Sequence, residues 1–257
     1  LVSSSRMSTV SARSEFPRIR PIGLDGMLVT FADRLSEPAN RAALAFRADI
    51  ETEAPAGVAE TSTSLASTYI RFDPLKLPHS ELRELLETRL DSKNWYDVPL
   101  PHGRRRFTLP TCFDPARAPQ IEEAAALAGV TPQAAIAEFC STTVRVMTIG
   151  FAPGQPYLGE LSQAWDLPRQ TGLTPRVPVG AVTVAIRQFV LFSVSAPTGW
   201  RHVGQTAFRA FRQESDTPCP LRPGDEIRFA SVAPDELEHI EKHNLSGDGA
   251  ATIETLP

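Results

Sequence analysis

The stretch from Arg145 to Gly159 contains the residues best placed to form a binding cleft. Its second part reads Gly-Phe-Ala-Pro-Gly-Gln-Pro-Tyr-Leu-Gly. Proline fixes φ and removes an N–H donor, and glycine lets a ligand or a second backbone come close. Pro153 and Gly154 therefore predict a stiff wall from which the ring of Tyr157 projects, and such walls usually line clefts. The alternative is a strand followed by a proline-rich connection that binds nothing.

The common catalytic motifs are missing from the sequence. It has no Gly-x-Ser-x-Gly elbow, no phosphate loop ending in Gly-Lys-Ser/Thr and no His-Glu-x-x-His pair. His239 and His243 are four residues apart and could lie on one face of a helix, but this acidic segment offers no third ligand, so we predict no metal site. The catalytic residues stay unknown, because the sequence presents no clear nucleophile or general base.

The stretch resembles the signature of the allophanate hydrolase subunit 1 family, which includes the B subunit of 5-oxoprolinase and a Kip-type inhibitor of a sporulation kinase. That signature reads Gly-Phe-Ala-Pro-Gly-Phe-Pro-Tyr-Leu-Gly-Gly, and this chain departs from it at Gln155 and Glu160. Residues 196–200 and 222–225 are similar to the family blocks Ser-Pro-Gly-Gly-Trp and Arg-Pro-Gly-Asp. The resemblance covers most of residues 18–232 and implies a cyclophilin-like β-barrel.

The resemblance also implies which side chains would hold a ligand. Arg169 and Arg176 match two of the four arginines that the family carries after its Pro-Gly loop, and Gln188 is the one residue kept from its Gly-Gly-Gln-Thr-Gly block. Arginine presents a permanently charged, planar fork that suits a carboxylate or a phosphate. The alternative is a pair of surface or ion-paired arginines. The candidate substrate-binding residues are Arg169, Arg176, Gln188, Tyr157, Pro153 and Gly154.

Other family blocks have changed in this chain. Ile186, Arg187 and Val190 replace three glycines. Because a backbone that needs positive φ should not survive these replacements, we expect this loop to be rebuilt as regular strand. Residues 114–120 replace the family's Gly-Gly-Glu-Phe-Gly-Pro-Asp, and Phe139 stands where the family has a histidine. Both of these changes remove polar groups.

Two functions follow from the resemblance. The first is a subunit of an ATP-dependent enzyme that hydrolyses a small cyclic or linear amide such as 5-oxoproline, with a partner resembling allophanate hydrolase subunit 2 or the C subunit of 5-oxoprolinase. ATP and Mg²⁺ are implied, because phosphorylating the amide oxygen would make the amide a better electrophile. The second is a non-catalytic regulatory protein of the kinase-inhibitor type. The kept loop and arginines favour the enzyme, whereas the changed glycine block and the missing histidine favour the regulator.

Composition limits the class of protein. The chain has 257 residues, of which 42% are hydrophobic, enough for a sizeable core. Its net charge of −4 gives no field that would attract nucleic acid. No apolar run has the length of a membrane helix and the N-terminus has no hydrophobic signal core, so we expect a cytoplasmic protein without a membrane partner. Cys112, Cys140 and Cys219 are predicted to be small buried residues in a reducing compartment.

Hydrophobic periodicity predicts an α+β protein with a small N-terminal α+β subdomain at residues 17–98, a β-barrel domain at 104–233 and an acidic, helical or disordered tail at 234–257. The family resemblance implies that the barrel domain is cyclophilin-like. The first subdomain should contain a hairpin at 19–31, a helix capped by Ser36, strands at 58–61 and 67–72, and a helix at 82–90. The second should contain a strand at 107–113, helices at 120–128 and 132–139, and a strand at 226–232.

Two segments have no predicted role in the function or the fold. The basic run from Arg104 to Arg106 precedes an apolar strand and is interpreted as a solvated strand entry without a function. The residues before Met7 precede a plausible start and look like an expression remnant, and the Ser-rich stretch up to Ser14 has no apolar periodicity. We therefore assign no fold element to the first sixteen residues.

Overall fold

The computed structural model describes residues 15–257, so the segment up to Ser14 and its interpretation as a remnant lie outside the described residues. The first part of the chain forms an antiparallel sheet in the order β1-β2-β4-β3, together with two helices. Its elements are β1 (Arg18–Ile22), β2 (Gly26–Thr30), α1 (Glu37–Glu53), β3 (Val58–Ser64), β4 (Ser67–Phe72) and α2 (His79–Asp91). The predicted order of two strands, a helix, two strands and a helix is confirmed.

The sequence of helix α1 explains where the helix begins, which residues it buries and where it ends. The side chain of Ser36 accepts a hydrogen bond from the backbone N–H of Ala39, which satisfies one of the free donors at the helix start. Buried residues at helical spacing, including Ala43, Phe46 and Ile50, pack against the sheet. The helix ends where Ala54 takes a left-handed conformation.

The second part of the chain forms a closed barrel. Its elements are β5 (Arg105–Cys112), α3 (Ile121–Ala128), α4 (Pro132–Ser141), β6 (Val144–Ile149), β7 (Pro156–Gly159), β8 (Thr174–Val177), β9 (Ala181–Ala185), β10 (Gln188–Leu191), β11 (Ala196–Thr198), β12 (Arg201–Thr206), β13 (Glu226–Ser231), α5 (Pro234–His243) and β14 (Thr252–Thr255). Seven strands close in the order β12-β9-β10-β7-β6-β13-β5, with β5 pairing back to β12. The α+β class with a barrel is confirmed.

Aromatic side chains fill the interior of the barrel. The ring of Phe139 lies 4.4 Å from that of Trp165 and 4.8 Å from that of Phe189, measured between centroids. All three residues are fully shielded from solvent. The position where the related family has a histidine is therefore part of the hydrophobic core in this protein.

The basic run at the start of β5 is not a solvated strand entry, and that interpretation is wrong. Arg104 and Arg106 both pair with Glu226, at 2.9 and 2.8 Å, and Arg105 pairs with Asp225 at 2.6 Å. Charge-assisted pairs of this kind are short and directional. They fasten the start of β5 to the first residue of β13 and to the turn before it. These two parallel strands are far apart in the chain, so no local pattern in the sequence indicates the ion pairs.

The acidic C-terminal segment is ordered on the barrel. Its first half is α5, whose Leu237 packs against Cys112 and Ala207. Its second half contains β14, an unpredicted strand that pairs with β5. No helix within residues 15–257 has the length and apolar character that crossing a membrane requires.

The prediction of three buried cysteines is wrong for two of them. Cys112 is buried, but Cys140 is half-buried and Cys219 is exposed. All three are free thiols.

Candidate functional site

The stretch from Arg145 to Gly159 folds into a β-hairpin made of β6 and β7. Its loop is closed by hydrogen bonds from the N–H of Gly150 to the carbonyl of Gln155 and from the N–H of Gln155 to that of Ala152. Pro153 is exposed at the tip, whereas Gly154 is buried against the carbonyl of Ala210. The close backbone approach that this glycine permits is therefore made by the protein itself.

The aromatic residue that projects from this hairpin is Phe151, not Tyr157. Phe151 has a φ of 71° and is 76% exposed. The half-buried ring of Tyr157 instead packs edge-on against Trp200, with centroids 6.0 Å apart. Tyr157 thus joins the hairpin to the block that the sequence relates to Ser-Pro-Gly-Gly-Trp.

The two candidate arginines lie beside that same block. Arg176 is on β8, and its Nε donates a 2.7 Å hydrogen bond to Oγ of Ser195. Arg169 lies in the connection that leads to β8, with its Nε close to Gly199. Both side chains are exposed, and among residues 15–257 neither forms an ion pair with a carboxylate. Their guanidinium groups are therefore open to a ligand or a partner.

The sixth candidate, Gln188, follows a turn whose expected conformation was wrong. Ile186 and Arg187 keep positive φ values of 42° and 61° between β9 and β10, instead of forming regular strand. The N–H of Ile186 donates to the carbonyl of Leu167, and the carbonyl of Arg187 accepts from the N–H of Leu161, both at 2.8 Å. These tertiary hydrogen bonds hold a conformation that side chains other than glycine disfavour.

Gln188 belongs to a row of polar residues that crosses several strands on the outside of the barrel. In the strand register, Arg145 on β6 lies opposite Gly159 on β7, and Gly159 lies opposite Gln188 on β10. On its other side Arg145 lies opposite Glu226 on β13, which in turn lies opposite Arg106 on β5. Directly opposed residues point to the same face of a sheet. The row was missed because no motif contains Arg145, although its place between two core valines could have indicated an outward side chain.

A cleft of about 510 Å³ lies over one part of this row. Glu37 at the start of α1 contributes one wall and the barrel contributes the rest, with Gly159 among the lining residues. Three guanidinium and three carboxylate groups surround the cleft: Arg106, Arg145, Arg187, Glu37, Glu160 and Glu226. The side chain of Arg145 is mostly buried and burial lowers its pKa, although the ion pair with Glu37 opposes this effect.

The described residues hold no preformed metal centre. Within residues 15–257 no group of three or more His, Cys, Asp or Glu side chains could hold a metal ion. The sequence also lacks a phosphate loop. His239 and His243 do stack on α5, with ring centroids 4.3 Å apart, but without a third ligand.

Comparison with known proteins identifies one matching protein family and several similar proteins. The family model described as "Carboxyltransferase domain, subdomain C and D" matches residues 17–221. The B subunit of 5-oxoprolinase from Bacillus subtilis (strain 168) is 27% identical over 227 residues, which covers 84% of this chain and 93% of that protein. The B subunit of 5-oxoprolinase from Escherichia coli O157:H7 is 32% identical over 125 residues, which covers 49% of this chain and 57% of that protein.

Two solved structures show the same arrangement within longer chains. The crystal structure of TTHA0988 is similar with a TM-score of 0.65 and 30% identity, covering 84% of this chain but only 40% of that one. Urea carboxylase of Kluyveromyces lactis is 18% identical with a TM-score of 0.65, covering 93% of this chain and 24% of that one. At this identity the second likeness concerns the fold alone.

Proposed function

The chain belongs to the family of carboxyltransferase domains, subdomain C and D, and from that membership we propose that it is one subunit of an ATP-dependent amide-opening enzyme. The observation that carries the proposal is the match to the B subunit of 5-oxoprolinase from Bacillus subtilis, which extends over 93% of that protein. A protein named as a subunit acts with others. We propose that the partner here resembles allophanate hydrolase subunit 2, the counterpart of the C subunit of 5-oxoprolinase.

Two features of the chain support a shared active site. The described residues contain no complete set of nucleophile, base and metal ligands, so the chemistry needs groups from elsewhere. In addition, TTHA0988 carries the similar region as 40% of a longer chain, which leaves room for a second functional part in one polypeptide. ATP and Mg²⁺ then bind to the assembled enzyme.

Within the assembly we propose that Arg169 and Arg176 hold negative charge on a substrate or a phosphorylated intermediate. Their exposure and their lack of a carboxylate partner within residues 15–257 support this role, because a free guanidinium can bind an anion in bidentate fashion. Tyr157, Pro153 and Gly154 would shape the adjoining hairpin, and Gln188 would contribute its amide.

The test compares the chain alone with the chain plus its partner subunit, supplied with 5-oxoproline, ATP and Mg²⁺. We expect phosphate and ring-opened product only from the mixture. Full turnover by the isolated chain would contradict the shared site.

A mixture that forms a complex but never turns over would favour the regulatory alternative. That alternative is supported by Phe139, a core residue where the related family has a histidine.

A further inference from the structure

The charged cleft beside Gly159 is complete within this chain. Glu37 comes from the first turn of α1, and the other charged groups come from the barrel. The junction between the two parts is held in place by Asn40, whose Nδ2 donates to the carbonyls of Leu65 and Met147 at 2.6 and 3.3 Å. The walls of the cleft are thus fixed relative to each other without a partner subunit.

The floor of the cleft is a notch in the sheet. Gly159 lies between Arg145 on β6 and Gln188 on β10, and two strand spacings separate those outer residues by about 10 Å. A Cβ on residue 159 would lie 3.5 Å from Cγ of Gln188 and 3.5 Å from Cγ of Met147, ordinary contact distances. A single methyl group would therefore fill the notch without moving its neighbours.

The charged groups around the notch are only partly satisfied by one another. Arg106 holds Glu226 with two hydrogen bonds of 3.0 and 2.8 Å, so that pair is complete. The distance from Nη2 of Arg187 to Oε2 of Glu160 is 3.8 Å, which is too long for a hydrogen bond. Arg145 reaches Glu37 at 3.2 Å, but its Nε is buried without a partner.

One polar group at the notch is also free. Among the described residues the side-chain amide of Gln188 makes no hydrogen bond, although the residue is only 8% exposed. Its amide atoms remain accessible to solvent, so a polar ligand in the notch can hydrogen-bond to them.

The balance of charges decides the class of ligand. An added anion that took Arg187 would leave the carboxylate of Glu160 without its partner, whereas Glu37 would keep its ion pair with Arg41 at 3.3 Å. An added cation would in the same way take a carboxylate from a guanidinium. A ligand with both charges can exchange the 3.8 Å ion pair of Arg187 with Glu160 and the 3.2 Å ion pair of Arg145 with Glu37 for two ligand ion pairs, with no net charge added to the cleft. We propose that this cleft binds a small zwitterion of the amino-acid class. Its carboxylate lies between Arg145 and Arg187, and its ammonium group lies against Glu37 or Glu160.

This site goes beyond the proposed function, with which it shares Gln188, and its occupancy can be measured independently because every group that it uses belongs to this chain. The ligand could serve as an effector or as a reactant of the assembled enzyme. Binding is therefore measured on the full chain by itself, without ATP, amide substrate or partner.

The test screens the standard L-amino acids one at a time by isothermal titration calorimetry. We expect at least one of them to bind in a 1:1 ratio, and we expect its N-acetyl and carboxamide derivatives to bind at least tenfold more weakly. Absence of binding for every amino acid at millimolar concentration would overturn the proposal. Equal binding of the N-acetyl derivative would overturn it too, since the cleft would then be an anion site.

Two variants locate the site. Gly159→Ala fills the notch, and Arg187→Gln removes one charge from the rim; each should weaken binding of the selected amino acid at least tenfold at an unchanged melting temperature. The control is Gly172→Ala, at a position where an added methyl group meets nothing within 4 Å. If both folded variants bind like the control, the ligand occupies another place and the proposal fails.

Discussion

The carbonyl oxygen of Ala210 occupies the space where a side chain at Gly154 would begin. An ideal Cβ on residue 154 would lie 2.3 Å from that oxygen, far inside the contact distance. The φ of Gly154 is also 68°, in the left-handed region that favours glycine. This contact packs the β6–β7 hairpin loop onto the segment that follows β12, so the shape of the loop depends on the absence of a side chain.

Gly154→Ala should destabilise the protein by about 2 to 4 kcal/mol, because it combines overpacking against a backbone atom with an unfavourable φ. The measurement is the free energy of unfolding from chemical denaturation. The matched control is Gly150→Ala in the same loop, where an added Cβ meets nothing within 4 Å and φ is not positive. Equal stability of the two variants would show that the loop moves freely away from Ala210.

Asn40→Ala should cost about 2 kcal/mol of folding free energy. Asn40 is fully buried, donates to the carbonyls of Leu65 and Met147, and accepts from Arg145, so its loss leaves buried polar groups without partners.

Thermal and urea unfolding measure the effect of this change. Ser64→Ala is the control, since it removes only an exposed hydrogen bond to Thr148 across the same junction and should cost about 0.5 kcal/mol or less. A loss no larger than that of the control would mean that Asn40 does not hold the junction together.

Stability should fall in acid partly because of Glu226. Burial alone would raise the pKa of this carboxyl, but hydrogen bonds from Arg106 and Arg104 leave the pKa below its ordinary value of 4.5. A carboxyl whose pKa is lower in the folded state stabilises the fold above the unfolded pKa, and this contribution is lost as the pH falls through the lower folded value.

Glu226→Gln should therefore lower the melting temperature at pH 7 and flatten its decline below pH 4.5. The measurement is the melting temperature as a function of pH. Glu236→Gln on α5, an exposed carboxylate without an ion pair in the described part of the chain, should keep the wild-type profile. A parallel decline for wild type and Glu226→Gln would remove Glu226 from the acid response.

Local signals in the sequence predicted the elements that depend on them. Ser36 caps α1, and Thr131 caps α4 with Pro132 at the first helical position, because side-chain caps act over three residues. The pairing of β14 with β5 joins residues far apart in the chain. No local pattern marks such a strand, because its stability comes from the neighbour that it meets.

The site was less predictable for the same reason. The positive φ of Ile186 contradicts its side-chain preference and is held by hydrogen bonds from a distant segment. The polar row from Arg106 to Gln188 exists only once the strands are in register. Sequence motifs indicated the hairpin and Gln188 and include the positions of Glu160 and Arg187, whereas Arg106, Arg145 and Glu226 lie on strands outside those motifs.

The final prediction concerns Arg169 and Arg176 and tests whether these two arginines bind the anionic ligand of the assembled enzyme. If they hold an anionic ligand, Arg169→Lys and Arg176→Lys keep the charge but lose the planar fork, so turnover in the partner-containing complex should fall while the melting temperature is unchanged. If they are ordinary surface residues, each exchange should cost less than about 0.5 kcal/mol and leave turnover intact. The measurement is phosphate release together with thermal unfolding for both variants.

Ser195→Ala is the control for Arg176, because it removes the hydroxyl that accepts from Nε and leaves the guanidinium in place. Wild-type turnover in both lysine variants would remove the arginine-based site, and a lowered melting temperature would mark these arginines as structural.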